Sequence, residues 1–384
     1  MPSLRRTVRV AALILLLTAM TPAPVGTAHG THRPPPTAER KSPVPNEDSR
    51  RLAGRRIVYS YAGPTPPPAL LRTISEGRAA GVILFGENIT SPDQLRTAVG
   101  QLRQAAAEAP GALPLLLMTD QEGGKVRRLP GAPELSARRT GLAPDPVAEA
   151  ARSGAGAGHN LADAGLNTNL APVLDVFDTP DNFIDHFERS YGQDPSVVAG
   201  LGAAFLAAQQ DLGVAATAKH FPGLGAAARD QNTDEEPVTL PVPLAELRAR
   251  GEEPYRAAIA AGVRLVMTSW AVYPALDPAR PAGLSPTVVQ GELRDRLGFR
   301  GVTVTDALEA GALNLFGDTP ARALAAAEAG MDLLLCSARD VEQGDAAAVA
   351  LADGLDSGRL DRQAFLDALH RVDTLRSGLA AGGR

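Results

Sequence analysis

The sequence predicts an α/β fold, a single (β/α)8 TIM-type barrel, and three observations support this prediction. Eight short apolar runs alternate along the chain with longer Ala- and Leu-rich stretches of helical periodicity. No glycine-rich dinucleotide-binding motif follows the first run, which favours a closed barrel over a doubly wound open sheet. One barrel of ordinary size accounts for most of the 384 residues.

The first 28 residues predict a secretory signal peptide. Three arginines within the first nine residues precede an apolar run over residues 10–20, and Gly-Thr-Ala at residues 26–28 offers a cleavage site. The adjacent Arg5 and Arg6 are compatible with a twin-arginine route. The alternative is a membrane anchor, for which the apolar run is short. The protein is therefore expected to be secreted, with cell-wall association as an option.

Residues 29–51 are rich in proline and charge, including three consecutive prolines at 34–36. Such a composition cannot bury a hydrophobic core, so it predicts a flexible linker. The folded barrel domain is expected to span residues 52–384.

Charge and cysteine content exclude several classes of function. Loss of residues 1–28 removes three Arg and no acid, which changes the net charge from −5 to −8. A chain this acidic is a poor partner for nucleic acid or for an anionic membrane surface. The one cysteine, Cys336, lies in an apolar run and is expected to be a buried small residue. We expect no disulfide within the chain, no metal site, no cofactor and a monomer.

The predicted strands are short runs bounded by turn and helix signals. They cover residues 57–61, 81–85, 115–119, 168–173, 215–218, 265–268, 302–305 and 333–336. Three of the intervening helices are predicted to begin at a capping residue followed by proline. These caps are Ser91, Ser285 and Thr319.

Polar residues follow several of the apolar runs, where a parallel barrel carries its functional groups. Asp120 follows the third run and precedes Gly123 and Gly124, which allow the backbone to approach a ligand closely. Arg189 lies beyond the fourth run, and its planar guanidinium is suited to holding an acceptor rigidly. The structural alternatives are a solvated surface turn for Asp120 and an ion pair for Arg189.

Lys219 and His220 are adjacent at the end of the fifth run, in the order Lys-His-Phe-Pro-Gly. Neighbours in a regular strand point to opposite faces, so both side chains reach one ligand only if the strand ends or bends there. The Pro222-Gly223 pair favours such a break. Asp306 follows a β-branched run at the end of the seventh strand, where a carboxylate is able to act as a nucleophile. The alternatives are a core histidine and a helix cap.

These motifs, in this order, resemble glycoside hydrolase family 3, in particular its bacterial β-N-acetylhexosaminidase branch. The resemblance rests on Asp-Gln-Glu-Gly-Gly from Asp120, Arg-Ser-Tyr-Gly from Arg189, Lys-His-Phe-Pro-Gly from Lys219 and Thr-Asp-Ala-Leu around Asp306. It implies that Asp306 is the catalytic nucleophile of a retaining glycosidase. It also implies that Asp120, Arg189, Lys219 and His220 bind the sugar.

The chain departs from the family at the residue that acts as general acid and base. In the family this residue is the His of an Asp-x-His pair, whereas here the pair reads Asp230 and Asn232, and an amide does not exchange protons near neutral pH. Asp230 is therefore predicted as the second catalytic residue. Two alternatives stay open: a later carboxylate of the loop, or sugar binding with little or no turnover. The later carboxylates are Asp234, Glu235 and Glu236.

A second departure is Trp270, at the end of the sixth run, where the family often has a His. Here an aromatic ring is expected to stack on the face of a pyranose.

Three functions are consistent with the sequence, and all have a carbohydrate as the ligand. The first is a secreted, exo-acting β-N-acetylhexosaminidase that releases terminal N-acetylglucosamine from cell-wall or chitin fragments. The second is a sugar-binding homologue with impaired catalysis. The third is a β-glucosidase or β-xylosidase of the same family, because recognition of the 2-substituent depends on the shape of the pocket.

Overall fold

Eight parallel strands close into a barrel in the computed structural model, which describes residues 47–379. The strands of the described chain are β1 (Ile57–Tyr59), β2 (Gly81–Ile83), β3 (Leu116–Thr119), β4 (Gln121–Gly123), β5 (Val126–Arg127), β6 (Thr168–Asn169), β7 (Ala215–Phe221), β8 (Leu265–Thr268), β9 (Val302–Ala307) and β10 (Leu333–Leu335). The barrel follows chain order, whereas β4 and β5 form a separate antiparallel hairpin. Each of the eight predicted strands overlaps one barrel strand, so the (β/α)8 prediction is confirmed.

Helices connect the barrel strands. The α-helices of the described chain are α1 (Glu47–Gly54), α2 (Pro68–Ser75), α3 (Pro92–Ala107), α4 (Ala137–Gly141), α5 (Pro146–Asp163), α6 (Phe183–His186), α7 (Pro195–Gln210), α8 (Leu244–Glu246), α9 (Glu253–Ala260), α10 (Thr319–Ala329), α11 (Val341–Asp356) and α12 (Arg362–Gly378). Short 3-10 turns span Gly86–Asn88, Ala282–Leu284 and Gly311–Leu313, and π-helical segments span Leu247–Gly251 and Thr287–Arg296. Between residues 47 and 379, no helix is both long enough and apolar enough to cross a membrane.

One of the three predicted helix caps is confirmed, and the other two are shifted by one residue. The Ser91 hydroxyl caps α3. The capping position of Thr287–Arg296 is Pro286 instead of Ser285, although the Ser285 hydroxyl accepts the backbone N–H of Val288 at 3.4 Å. At α10 the cap is Asp318 instead of Thr319, which is the first helical residue. An Asp side chain is the stronger of the two caps, so it determines where the helix begins.

The interior of the barrel is packed with aliphatic side chains, and α12 closes one of its ends. Val58, Met118 and Leu265 belong to one buried cluster that also contains Val372 and Leu375 of α12. The strands are buried on both faces because helices cover the outside of the barrel. Cys336 is fully buried, as predicted. The opposite end of the barrel, where the strands reach their carboxyl ends, contains the polar cavity described below.

A helix precedes the predicted domain boundary at residue 52. Helix α1 starts at Glu47, and its buried residues Ser49 and Ala53 lie on the side that packs against α11. Acidic residues in the first turn and Arg51 in the last turn suit the helix dipole, which explains why this charged segment is helical. The prediction that the linker extends to residue 51 is therefore wrong for residues 47–51. The predicted signal peptide and the remainder of the linker lie outside the described residues.

Helices α5 and α7 approach each other closely enough for a glycine to be required. A side-chain carbon at Gly154 would overlap the backbone carbonyl of Phe205, whereas one at Gly200 in α7 would meet no atom within 4 Å. We expect Gly154→Ala to lower the free energy of unfolding by about 1–3 kcal/mol because the helices must separate. Gly200→Ala, the matched control, should raise it by about 0.5–1 kcal/mol because Ala is the better helix former. Urea titration followed by circular dichroism measures both changes, and a stabilised Gly154→Ala variant would refute the close contact.

Candidate active site

A cavity of about 480 Å³ opens at the carboxyl ends of the barrel strands. This volume falls in the range of small-molecule sites, and this end of such a barrel is where active sites lie. Five of the six predicted site residues line it: Asp120, Arg189, Lys219, His220 and Asp306. The structure therefore brings together groups that are up to 186 positions apart in the chain.

Two cations in the cavity wall share one carboxylate that the sequence prediction did not single out. The Lys219 ammonium lies 2.7 Å from Glu122 Oε1 and 2.7 Å from Asp120 Oδ1. The Arg189 guanidinium donates two hydrogen bonds to Glu122, from Nε at 2.9 Å and from Nη2 at 2.8 Å. The side chain of Lys219 is only 3% exposed, so its charge requires close partners. Arg189 therefore forms the ion pair that was its structural alternative, and it also lines the cavity.

These pairs keep the cavity wall charged. Burial alone would raise the pKa of Glu122, but the charges and hydrogen bonds of Arg189 and Lys219 outweigh it and lower the pKa to about 2. Burial alone would lower the pKa of Lys219, but Asp120 and Glu122 raise it above its ordinary value. Glu122 is thus an acceptor at neutral pH and not a proton donor.

His220 is oriented by a second buried carboxylate, Asp175. The His220 Nδ1 atom lies 2.7 Å from Asp175 Oδ2, and the backbone N–H of Leu224 donates to Asp175 Oδ1 at 2.7 Å. Because a carboxylate accepts at Nδ1, that nitrogen carries the proton and Nε2 is left as an acceptor. Nε2 lies 3.5 Å from the Arg189 Nη2 atom. His220 therefore offers the cavity a defined tautomer.

The strand carrying Lys219 and His220 is irregular where the two residues lie. The pairing register between β7 and β8 shifts between Ala218 and Phe221, and the Lys219–His220 peptide bond is cis. Both side chains line the cavity although they are adjacent in sequence. The sequence prediction required a break near this point, and the register shift supplies one inside the strand, before Pro222.

Asp306 lies near the end of β9, where its carboxylate lines the cavity. The strand continues through Ala307 and the cap of the next α-helix is Asp318, so Asp306 is not a helix cap. Its Oδ1 atom accepts the backbone N–H of Ala307 at 2.8 Å. Within residues 47–379, Asp306 forms no ion pair. An unpaired carboxylate in this position is suited to nucleophilic attack.

Trp270 does not stack on a ligand, contrary to the sequence prediction. The ring is 1% exposed and does not line the cavity. Its indole N–H donates to the carbonyl oxygen of Ala307 at 2.8 Å. Trp270 is a core residue that supports the backbone next to Asp306.

Asp230 is the one predicted site residue that lies outside the cavity. It is exposed within the turn formed by residues 228–231, which the N–H of Gln231 closes by donating to the Ala228 carbonyl at 3.0 Å. The next part of the loop returns to the cavity, and Asn232, Thr233 and Asp234 line it. The turn therefore directs the Asp230 carboxylate toward solvent, whereas Asp234, later in the loop, lines the cavity.

Asp234 is unusual among the carboxylates of the cavity because its pKa is raised to about 6. The residue is exposed to solvent on its outer side, but the protein groups packed around its carboxyl remove water from it and are the main cause, and the negative charge of Asp306 is the second. Arg189 and His220 oppose the shift, and Asp120 adds to it. A carboxyl group with this pKa changes protonation state in the pH range where many enzymes work.

Sequence reasoning missed Glu122 and Asp175 as site residues, although both lie in motifs that it quoted. A charge argument would have found them, because two cations predicted in one pocket require buried carboxylates nearby. Each of the two acids lies just beyond or within an apolar run, which was the available signal.

Across the residues that the structure covers, no group of three His, Cys, Asp or Glu side chains is arranged to hold a metal ion.

Comparison with known proteins identifies similar chains. A family model described as the N-terminal domain of glycosyl hydrolase family 3 matches residues 68–375. A protein of Arthroderma benhamiae, named as an uncharacterized secreted glycosyl hydrolase, is 45% identical over 329 residues. The match covers 86% of this chain and 93% of the relative.

Two solved structures are similar over most of this chain. A glycoside hydrolase family 3 β-N-acetylglucosaminidase from Paenibacillus sp. str. FPU-7 superposes with a TM-score of 0.82 and 35% identity, covering 87% of this chain. This chain spans 63% of that protein, less than two thirds of its length. A β-N-acetylhexosaminidase from Beutenbergia cavernae DSM 12333 gives a TM-score of 0.77 and 33% identity, with 85% and 98% of the two chains covered.

Removing the shared carboxylate should weaken the fold and the site together. We expect Glu122→Gln to lower the free energy of unfolding at pH 7 by about 3–5 kcal/mol because Arg189 loses its carboxylate partner. Glu122 has a depressed pKa, so its contribution is present above about pH 4.3 and is lost as pH falls toward about 2. The difference between wild type and variant should therefore shrink in acid. Urea titrations at several pH values measure it, with the exposed Glu246→Gln as control, and a difference independent of pH would contradict the pairing.

Proposed function

The chain belongs to glycoside hydrolase family 3, and from this premise we propose that it is a secreted, retaining β-N-acetylhexosaminidase. Its substrates are terminal N-acetylglucosamine residues on cell-wall or chitin fragments. The observation that carries this proposal is the Asp306 carboxylate, which lies in the cavity that Lys219 and His220 also line and has no ion-pair partner among residues 47–379. A nucleophile beside a set of hydroxyl-binding groups is the arrangement that a retaining glycosidase requires.

The sugar is bound by Asp120, Arg189, Lys219 and His220. Carboxylate oxygens and His220 Nε2 accept hydrogen bonds, and the two cations donate them, so the wall matches hydroxyl groups, which do both. Because these groups are held in their mutual hydrogen bonds, little ordering is needed when the sugar enters. The names of the Paenibacillus and Beutenbergia structures support an N-acetylhexosaminide as the substrate.

Hydrolysis proceeds in two displacements. An Asp306 oxygen bonds to C1 of the sugar while the bond from C1 to the glycosidic oxygen breaks. The glycosidic oxygen keeps the electron pair of the broken bond and takes a proton from a general acid. Water then attacks C1 and gives a proton to the resulting base, and the bond from C1 to Asp306 breaks to restore the carboxylate. Two attacks on opposite faces retain the β configuration.

Secretion is supported by two features. The basic and apolar pattern of residues 1–28 is typical of an export signal. The relative from Arthroderma benhamiae is named as a secreted protein. An exported enzyme of this kind would meet cell-wall or chitin fragments outside the cell.

Substitution of the nucleophile tests this proposal directly. With 4-nitrophenyl β-glycosides of N-acetylglucosamine, glucose and xylose, we expect the wild type to have the highest kcat/KM on the first. Asp306→Asn should lower kcat by at least about 1,000-fold because no covalent intermediate forms. The exposed Asp211→Asn is the matched control and should leave kcat unchanged. Mass spectrometry of protein trapped with a 5-fluoro N-acetylglucosaminyl fluoride should locate the sugar on Asp306.

Three outcomes would revise the proposal. Binding of N-acetylglucosamine without turnover by the wild type indicates a noncatalytic sugar-binding homologue. A higher kcat/KM on the glucoside or xyloside reassigns the sugar. A sugar adduct on another residue removes Asp306 from its role.

A further inference from the structure

The loop between β7 and α8 contains four carboxylates, and the geometry separates one of them from the others. Asp230 lies in the outward turn of residues 228–231. Glu235 accepts a hydrogen bond from the Asn232 amide at 2.9 Å, and neither Glu235 nor Glu236 lines the cavity. Asp234 is the member of this set that faces the same cavity as Asp306.

Asn232 holds the turn that presents Asp234. The side-chain Oδ1 atom of Asn232 accepts the backbone N–H of Asp234 at 3.0 Å. The backbone carbonyl of Asn232 accepts the backbone N–H groups of Glu235 and Glu236 at 3.1 and 3.0 Å. An Asn side chain bonded to the N–H two residues later forms a local turn. The amide at position 232 thus fixes the backbone of the residue that faces the cavity.

The same turn is attached to the chain that follows the nucleophile. The N–H of Gly311 donates to the Asp234 carbonyl at 2.8 Å, and the N–H of Ala312 donates to the Thr233 carbonyl at 3.0 Å. A side chain at Gly311 would overlap the backbone carbonyl of Glu235. These contacts hold the loop segment that contains Asp234 against residues 311 and 312, which follow Asp306 in the chain.

We infer that Asp234 is the general acid and base of this glycosidase, an inference that rests on the proposed function. In the first step the Asp234 carboxyl gives its proton to the glycosidic oxygen as the C1–O bond breaks and Asp306 bonds to C1. In the second step the Asp234 carboxylate removes a proton from water, the water oxygen bonds to C1, and the electron pair of the C1–Asp306 bond returns to Asp306. One water molecule is consumed, and both carboxyl groups end in their starting states.

The charges around Asp234 suit both steps. The groups that face it are Asp306 and Asp120, which raise its pKa, and Arg189 and His220, which lower it. While Asp306 is ionised, the raised pKa of about 6 keeps a proton available on Asp234. When Asp306 becomes an ester its negative charge is lost, so the pKa of Asp234 falls and the group becomes a base. Formation of the covalent intermediate therefore favours the deprotonated form of Asp234, which is the base that the second step requires.

The other carboxylates of the cavity are already engaged. Glu122 is bonded to Lys219 and Arg189 and stays ionised to about pH 2. Asp120 is paired with Lys219. Glu309 accepts hydrogen bonds from the Ser337 hydroxyl at 2.7 Å and from the Gln343 amide at 3.1 Å. Within residues 47–379, these contacts leave Asp234 as the cavity carboxyl suited to proton transfer.

Leaving-group dependence and azide rescue test this role. Asp234→Asn should lower kcat/KM on N,N′-diacetylchitobiose by about 10²–10⁴-fold. On the 2,4-dinitrophenyl β-glycoside, whose leaving group needs no proton, kcat/KM should fall less than about tenfold. Azide should raise kcat of this variant and yield the β-glycosyl azide, because an anion attacks C1 without a base. Asp230→Asn, the matched control on the same loop, should behave as the wild type, and equal unfolding midpoints should show that both variants fold.

Each failure has a different meaning. If the wild type hydrolyses chitobiose and Asp234→Asn does so equally well, this inference is wrong and the proposed function stands. If Glu309→Gln or Asp230→Asn shows azide rescue instead, the acid and base is that residue. If the wild type hydrolyses neither substrate, the proposed function is refuted and the inference with it.

The pH profile gives an independent measurement. Since the free enzyme needs Asp234 protonated, kcat/KM on chitobiose should fall as pH rises through about 6. Asp234→Asn should lack this alkaline limb on the dinitrophenyl glycoside, and Asp230→Asn should keep the wild-type profile. An unchanged limb in Asp234→Asn would assign the titration to another group and overturn the inference.

Discussion

The carboxylate of Glu122 holds two cations at the mouth of the barrel, and the geometry of the site depends on this interaction. Lys219 and Arg189 would be costly to bury unless each met an opposite charge. Glu122 satisfies both, so hairpin β4–β5, strand β7 and the segment before α7 are joined at one pair of oxygen atoms. Asp120 completes the pairing of Lys219. The groups proposed to bind the sugar are consequently fixed relative to one another before a ligand arrives, which lowers the cost of binding it.

Backbone hydrogen bonds likewise fix the relative positions of the proposed catalytic residues, Asp306 and Asp234. The turn at residues 232–236 is bonded to residues 311 and 312, in the segment that leaves β9 after Asp306. The proposed nucleophile and the proposed acid and base therefore belong to one hydrogen-bonded unit. Asn232 cannot carry a proton, but its amide organises the turn, and the protonatable group lies two residues later at Asp234.

Much of this structure follows from local features of the sequence. Strands buried on both faces appear as short apolar runs, and polar residues at their ends mark the functional face, so Asp120, Lys219 and Asp306 were predicted together. The direction of the loop was not predictable, because contacts with residues 311 and 312, distant in sequence, decide that Asp234 and not Asp230 faces the cavity. Trp270 was misassigned for a related reason: its burial depends on neighbouring strands. The charged helix α1 looked like linker because its packing partner, α11, lies at the other end of the chain.

The central claim is that Asp306 and Asp234 act as nucleophile and acid/base in a double displacement, and the configuration of the first-formed sugar tests it most directly. Proton NMR of the anomeric signals during the first minutes of hydrolysis distinguishes the two anomers before they equilibrate by mutarotation. A double displacement predicts that β-N-acetylglucosamine appears first and the α anomer follows. Initial release of the α anomer would show a single displacement by water and would contradict the account.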